Sequence, residues 1–86
     1  MAGSPLQARI AELTAEASGG TLTAAGALTG TESLTQQGLT SLSYLRLIDA
    51  IETEYGIYVD LEEATGRLGT VEKIAEYVRE QGVADA

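Results

Sequence analysis

One hydroxyl in this sequence is placed where chemistry is possible. Ser41 ends the segment Gly38-Leu39-Thr40-Ser41 and is followed by Leu42, within an amphipathic stretch that runs to Tyr55, so its side chain sits where a coil turns into a helix. The first turn of a helix leaves backbone N–H groups unpaired and carries partial positive charge, so an anionic group attached there is held favourably. A phosphodiester on the Ser41 oxygen suits this place. A serine opening a helix also has a plain use, stabilising the start by about 1 kcal/mol, and the Ser-Leu pair alone does not choose between the two. Hydrolysis by this hydroxyl is a poor reading, because the chain has no histidine and its only lysine, Lys73, lies on another predicted helix.

Composition narrows the remaining classes. Eighty-six residues make one small domain with a modest core and little room for a deep substrate cavity. The absence of cysteine removes disulfides and thiolate metal sites, and the absence of histidine removes the usual general base and the commonest metal ligand. Together these argue against an autonomous enzyme. Five basic and thirteen acidic residues give a net charge of −8, which repels nucleic acid and anionic lipid and favours basic protein surfaces. No apolar run approaches the roughly 20 residues needed to cross a bilayer, and Met1-Ala2-Gly3-Ser4 lacks the layout of a signal peptide. A cytoplasmic protein with no membrane partner is the expectation. Asp60, Glu62 and Glu63 lack the alternating oxygen ligands and glycine turn of a calcium loop, and no glycine-rich loop follows a strand to cradle a phosphate.

The elements that must position Ser41 follow from capping and periodicity. Ser4-Pro5-Leu6-Gln7 combines a cap, a proline at the first helical position and a glutamine three residues after the cap, predicting a helix from Pro5 to Ser18 that stops at Gly19-Gly20. Thr21 to Thr40 is rich in small and polar residues, with isolated Leu22, Leu28 and Leu34; it is expected to be a long loop pinned by those leucines. Plotted at roughly 100° per residue, Tyr44, Leu47, Ile48, Ile51 and Tyr55 share one sector about 100° wide, the core face of a helix from Ser41 to Tyr55. Gly56 ends it. Ile57-Tyr58-Val59 is a link rather than a strand, having nothing to pair with. Leu61 to Ala64 is expected to form a brief helix opened by Asp60 and broken at Gly66. Thr70 then caps a last helix on Val71, Ile74, Ala75 and Val78, and Gly82 releases an acidic tail. Tyr44, Tyr55, Tyr58 and Tyr77 are assigned to core packing.

Leu42 and Leu45 do not fit the core face. The helix has a full apolar stripe without them, and they flank Ser41. Either they cover the long loop or sit singly at the surface, as apolar residues often do, or they meet a partner.

Thr31 to Val78 resembles the phosphopantetheine-attachment domain of acyl and peptidyl carrier proteins. The resemblance rests on Gly38-x-x-Ser41-Leu42, Arg46-Leu47, Glu52-x-Glu54-Tyr55-Gly56-Ile57 and Thr70-Val71 in that order. It implies an all-α, acyl-carrier-protein-like four-helix bundle of three main helices and one short one with a long first loop, in a single domain over residues 1–86 whose helical core spans about 5–81. It also implies that Ser41 receives a 4'-phosphopantetheine arm from coenzyme A, transferred with magnesium by a phosphopantetheinyl transferase, so that the protein is a substrate rather than a catalyst. The arm's thiol would then hold acyl or aminoacyl groups as thioesters. A stand-alone monomeric carrier is expected, working with a loading enzyme (an adenylating enzyme or an acyltransferase) and downstream synthase or tailoring enzymes. By the same resemblance Thr40, Leu42, Leu45, Arg46, Asp49 and Glu52 are partner-binding positions, and the helix carboxylates, Glu54 among them, form a docking face whose plain alternative is a solvated surface.

The sequence departs from that pattern in informative places. Fatty-acid-type carriers place aspartate before the serine, and peptidyl carriers often have histidine or aspartate; here Thr40 takes that position, where its hydroxyl can cap the helix and leave Ser41 the first helical residue. Arg46-Leu47 is similar to peptidyl carriers, whereas Ile48, Ile51-Glu52, Asp60-Leu61-Glu62-Glu63 and the high negative charge are closer to acyl carriers. The implied setting is polyketide, nonribosomal peptide or related specialised biosynthesis, and the competing reading is a small acidic helical adaptor without an arm.

Overall fold

A computed structural model describes residues 4–64 and 66–84. Four helices occur in it, α1 (Pro5–Ala17), α2 (Ala24–Thr29), α3 (Ser41–Tyr55) and α4 (Val71–Glu80), with no strand among the described residues. The tail beyond Gly82 ends in Asp85 and Ala86, which lie outside the described residues.

The long helices start and stop where their local chemistry directs. At α1 the Gln7 N–H donates to the Ser4 Oγ and the Ser4 N–H to the Gln7 Oε1, both at 3.2 Å, a reciprocal cap that satisfies two amides the helix cannot. Leu6, Ile10 and Leu13 then face inward. Gly56 closes α3 in the left-handed conformation, φ 65°, which a side chain would resist. At α4 the Thr70 hydroxyl accepts from the Lys73 N–H at 3.2 Å, and Val71, Ile74, Ala75, Tyr77 and Val78 are buried.

The fourth helix is not where the residue pattern placed it. The expected loop from Thr21 to Thr40 contains α2, capped by the Thr23 hydroxyl accepting from the Gly26 N–H at 3.0 Å. Alanine is the best helix former, and Ala27 is buried with Ala24 and Leu28 packed beside it; this single turn of mostly small residues is too short a repeat to stand out in a sequence window. The predicted helix from Leu61 to Ala64 is instead a turn. The Asp60 Oδ1 accepts from the Glu62 and Glu63 N–H groups at 3.0 and 3.3 Å, and the Asp60 carbonyl from the Ala64 N–H at 2.8 Å. This start does not propagate before Gly66, which has φ 79°.

α1 is the hub, packing against each of the other three helices, and α2 also touches α4. Leu47, Ile48 and Ile51 of α3 join the core with Tyr44 and Tyr55 half-buried beside them. The α3–α4 connection adds Val59, Ala64 and Leu68. Inside, the buried Thr14 hydroxyl donates to the Ile10 carbonyl at 2.9 Å, and no buried side-chain polar atom among the described residues lacks a partner.

Candidate functional site

Ser41 is the first residue of α3 and is exposed. Thr40 precedes it as the cap: its hydroxyl accepts from the Ser43 N–H at 3.2 Å and its carbonyl from the Tyr44 N–H at 2.8 Å. Gly38, at φ 112°, turns the chain into this start, and the buried Leu39 anchors it. Among the described residues neither the Ser41 hydroxyl nor the Ser41 and Leu42 amides have a hydrogen-bond partner. The result is a free hydroxyl on a fixed base, with unpaired N–H groups beside it for an anionic substituent.

The positions expected to meet partners lie in different environments. Leu42 and Leu45 are 60% and 53% exposed; they form an apolar step next to Ser41, with Leu45 at the edge of the first loop beside Thr35 and Leu39. Arg46 and Asp49 are exposed on the same helix, with no ion pair among the described residues. Glu52 is half-buried, and its Oε2 accepts from the Val59 N–H at 2.8 Å, which leaves its other oxygen for contacts. Glu54 departs from the expected docking face. Its carboxylate is gripped by the Arg9 guanidinium of α1, Nη2 to Oε1 at 2.7 Å and Nε to Oε2 as a second bond. That hydrogen bonding holds the Glu54 carboxyl below its ordinary 4.5 and raises the Arg9 guanidinium.

Two grooves flank α3, and Leu45 lines both. The larger, ≈ 570 Å³, lies between α3 and the following connection, with Leu45, Asp49 and Glu52 on one side and Tyr58, Leu61 and Glu62 on the other. Tyr58 is 75% exposed, which corrects its assignment to the core. The signal was present in Ile57-Tyr58-Val59: extended backbone sends alternate side chains to opposite sides, and burying Val59 turns Tyr58 outward. The smaller groove, ≈ 220 Å³, is lined by Thr35, Leu39, Thr40, Ser41, Tyr44 and Leu45. The Tyr44 hydroxyl donates to the Leu68 carbonyl at 2.9 Å, and burial raises this phenol above its ordinary 10.0.

The family model for the phosphopantetheine attachment site matches residues 8–78, from the first turns of α1 to Val78 in α4. The chain belongs to the phosphopantetheine-attachment family. No curated protein and no solved structure matches it. The helical bundle described above is the acyl-carrier-protein-like fold expected of this family, whose domain is the site of covalent 4'-phosphopantetheine attachment and acts as a non-catalytic carrier.

The residues of this carrier suit such a group. The linkage needs an accessible alcohol oxygen; Ser41 is exposed, and its neighbours Thr40 and Leu42 are uncharged. The free Ser41 and Leu42 amides point to the end of the helix that favours negative charge. When bound, the arm supplies a thiol that holds cargo as a thioester.

Proposed function

We propose that Ser41 is the attachment residue, and that this protein carries acyl or aminoacyl thioesters between enzymes of polyketide, nonribosomal peptide or related specialised biosynthesis. The observation that carries the reading is the exposed Ser41 hydroxyl at the first position of α3, inside the family match. In the transfer step the Ser41 Oγ forms a bond to the phosphorus of the phosphopantetheine half of coenzyme A. The pyrophosphate P–O bond breaks, the adenosine bisphosphate half leaves, and the serine proton passes to a base of the transferase. Magnesium held by that enzyme offsets the phosphate charge. This carrier contributes the alcohol, its fixed position and the unpaired amides, since an arm rooted on a rigid element presents its cargo reproducibly.

The partners of this reading are a phosphopantetheinyl transferase, a loading enzyme and downstream synthase or tailoring enzymes. Thr40, Leu42, Leu45, Arg46 and Asp49 surround the serine on exposed helix surface, and Glu52 lies on the rim of the larger groove. An apolar step ringed by charge is the anatomy of a small docking surface, with its apolar centre and polar rim. Arg46 and Thr40, which depart from the fatty-acid-type pattern, support the specialised setting.

Mass spectrometry tests the attachment. Incubation with coenzyme A, magnesium and a broad-specificity phosphopantetheinyl transferase is expected to add the mass of one phosphopantetheine, and Ser41→Ala is expected to abolish the gain. An unmodified wild type, or a Ser41→Ala protein that still gains the mass, overturns the reading. The first result would favour an acidic adaptor that docks through Leu42 and Leu45 alone.

A further inference from the structure

The smaller groove shares Thr40, Ser41 and Leu45 with the surface argued so far, while its other walls have no part in that function, and its chemistry is asymmetric. Leu39, Tyr44 and Leu45 give it apolar walls, and Thr35 stands opposite as an exposed threonine whose hydroxyl has no hydrogen-bond partner among the described residues. The Tyr44 hydroxyl does not compete for a guest, because it is committed to the Leu68 carbonyl. Ser41 itself is part of the lining, so whatever is rooted on its oxygen begins beside the groove.

We propose that the groove formed by Thr35, Leu39, Tyr44 and Leu45 holds the proximal, pantoyl end of the arm carried on Ser41. The inference rests on attachment at Ser41 and adds where the arm lies. The pantoyl unit presents two geminal methyl groups next to a hydroxyl and an amide, and the groove offers apolar walls next to a single free hydroxyl. Its ≈ 220 Å³ is below the roughly 300–1,000 Å³ of pockets that enclose a drug-sized ligand. The groove therefore takes the near end of the arm and leaves the thiol in solvent. Weak contacts are enough, because a group tethered by a short flexible link reaches an effective concentration in the mM range. Seating the near end shortens the free part of the arm and restricts the region its thiol explores.

The test uses the full chain loaded enzymatically with a pantetheine arm carrying ¹³C in its geminal methyl groups. Isotope-filtered NOE spectra are expected to connect those methyl groups to the side chains of Leu39, Tyr44 and Leu45. The Thr35 amide, six positions from the attachment residue, is expected to shift between the unloaded and loaded protein. Thr35→Trp fills the groove from an exposed position and is expected to abolish these NOEs while the mass gain of loading remains. Thr35→Val keeps the shape but removes the hydroxyl, and is expected to weaken them. A loaded wild type with no such NOEs overturns the groove assignment and leaves attachment at Ser41 standing. NOEs that persist unchanged in Thr35→Trp also overturn it, and a wild type that gains no mass overturns both readings. The wild-type spectrum decides the matter even where a variant folds poorly.

Discussion

The connections on either side of α3 hold the same helix in place by different means. The first, between α1 and α3, buries Leu22, Ala27, Leu34 and Leu39 and folds part of itself into α2. The second, between α3 and α4, contains no helix among its described residues. It buries Val59, Ala64 and Leu68 and is tied down by side chains reaching from the flanking helices: Glu52 to the Val59 N–H, Tyr77 to the Asp60 N–H at 3.4 Å, and Tyr44 to the Leu68 carbonyl. The two meet where the Leu34 N–H donates to the Gly69 carbonyl at 2.8 Å. Apolar pins lose their transfer free energy and leave a cavity when cut, whereas a hydrogen bond at the protein edge is partly replaced by water. Cutting the apolar pin Leu34 should therefore cost more than cutting one of the hydrogen bonds that tie the second connection.

Leu34→Ala is the strongest attempt to break this contrast. The side chain is fully buried, so truncation is expected to cost about 2–5 kcal/mol, a large share of the roughly 5–15 kcal/mol that holds a small domain folded. Urea denaturation reads it as a lower midpoint at unchanged slope. A loss below about 1 kcal/mol, the size of a typical hydrogen bond, would mean that the first connection is no better anchored than the second.

Tyr44→Phe probes the other side. It removes the hydroxyl that meets the Leu68 carbonyl but keeps the ring, and the expected cost is about 0.5–1.5 kcal/mol in the same denaturation experiment. The Ser41 hydroxyl should remain fully modifiable. A cost equal to that of Leu34→Ala would show that the second connection depends on its hydrogen bonds as heavily as the first depends on apolar contact, and the distinction would fall.

The same contrast explains what was legible in the sequence. The core face of α3 could be read because Tyr44, Leu47, Ile48, Ile51 and Tyr55 repeat at helical spacing over about three turns, and the reading of Thr40 as cap and Ser41 as first helical residue follows from side-chain capping, which is local. The exposure of Leu42 and Leu45 follows from the same geometry, since a helix cannot bury every side. α2 was not legible, because its core side is only Ala24, Ala27 and Leu28, one helical turn in which two of three members are alanine, too short and too weakly apolar to stand out among small residues. The Asp60 turn shares its opening with a helix, and only the chain beyond it decides whether the helix continues. Glu54 looked like its neighbours on α3 because the residue that claims it, Arg9, lies 45 positions away, and nothing in the spacing along one helix discloses a partner on another.

That remote pair supplies the smallest effect and the sharpest separation of tie types. Arg9 lowers the Glu54 pKa in the folded protein from its ordinary 4.5, so the pair contributes stability that is fully present above that value and is lost as pH falls through the lowered one. Glu54→Gln is therefore expected to be slightly less stable than wild type near neutral pH, with the difference shrinking in salt because both side chains are partly solvated. The difference should vanish as the solution is acidified past the lowered pKa. Arg9 also reaches Glu12 and Glu16 at the longer distances of 3.5 and 3.7 Å, so comparing urea midpoints at each pH reads the loss of the Glu54 charge against the background of those two contacts. The Tyr44→Phe difference should stay constant over the same range, since burial raises a phenol that is already protonated there. A Glu54→Gln difference that persists in acid would show that the side chain stabilises by its shape and amide-like hydrogen bonding rather than its charge, and the link between α1 and α3 would then belong with the neutral ties of the second connection.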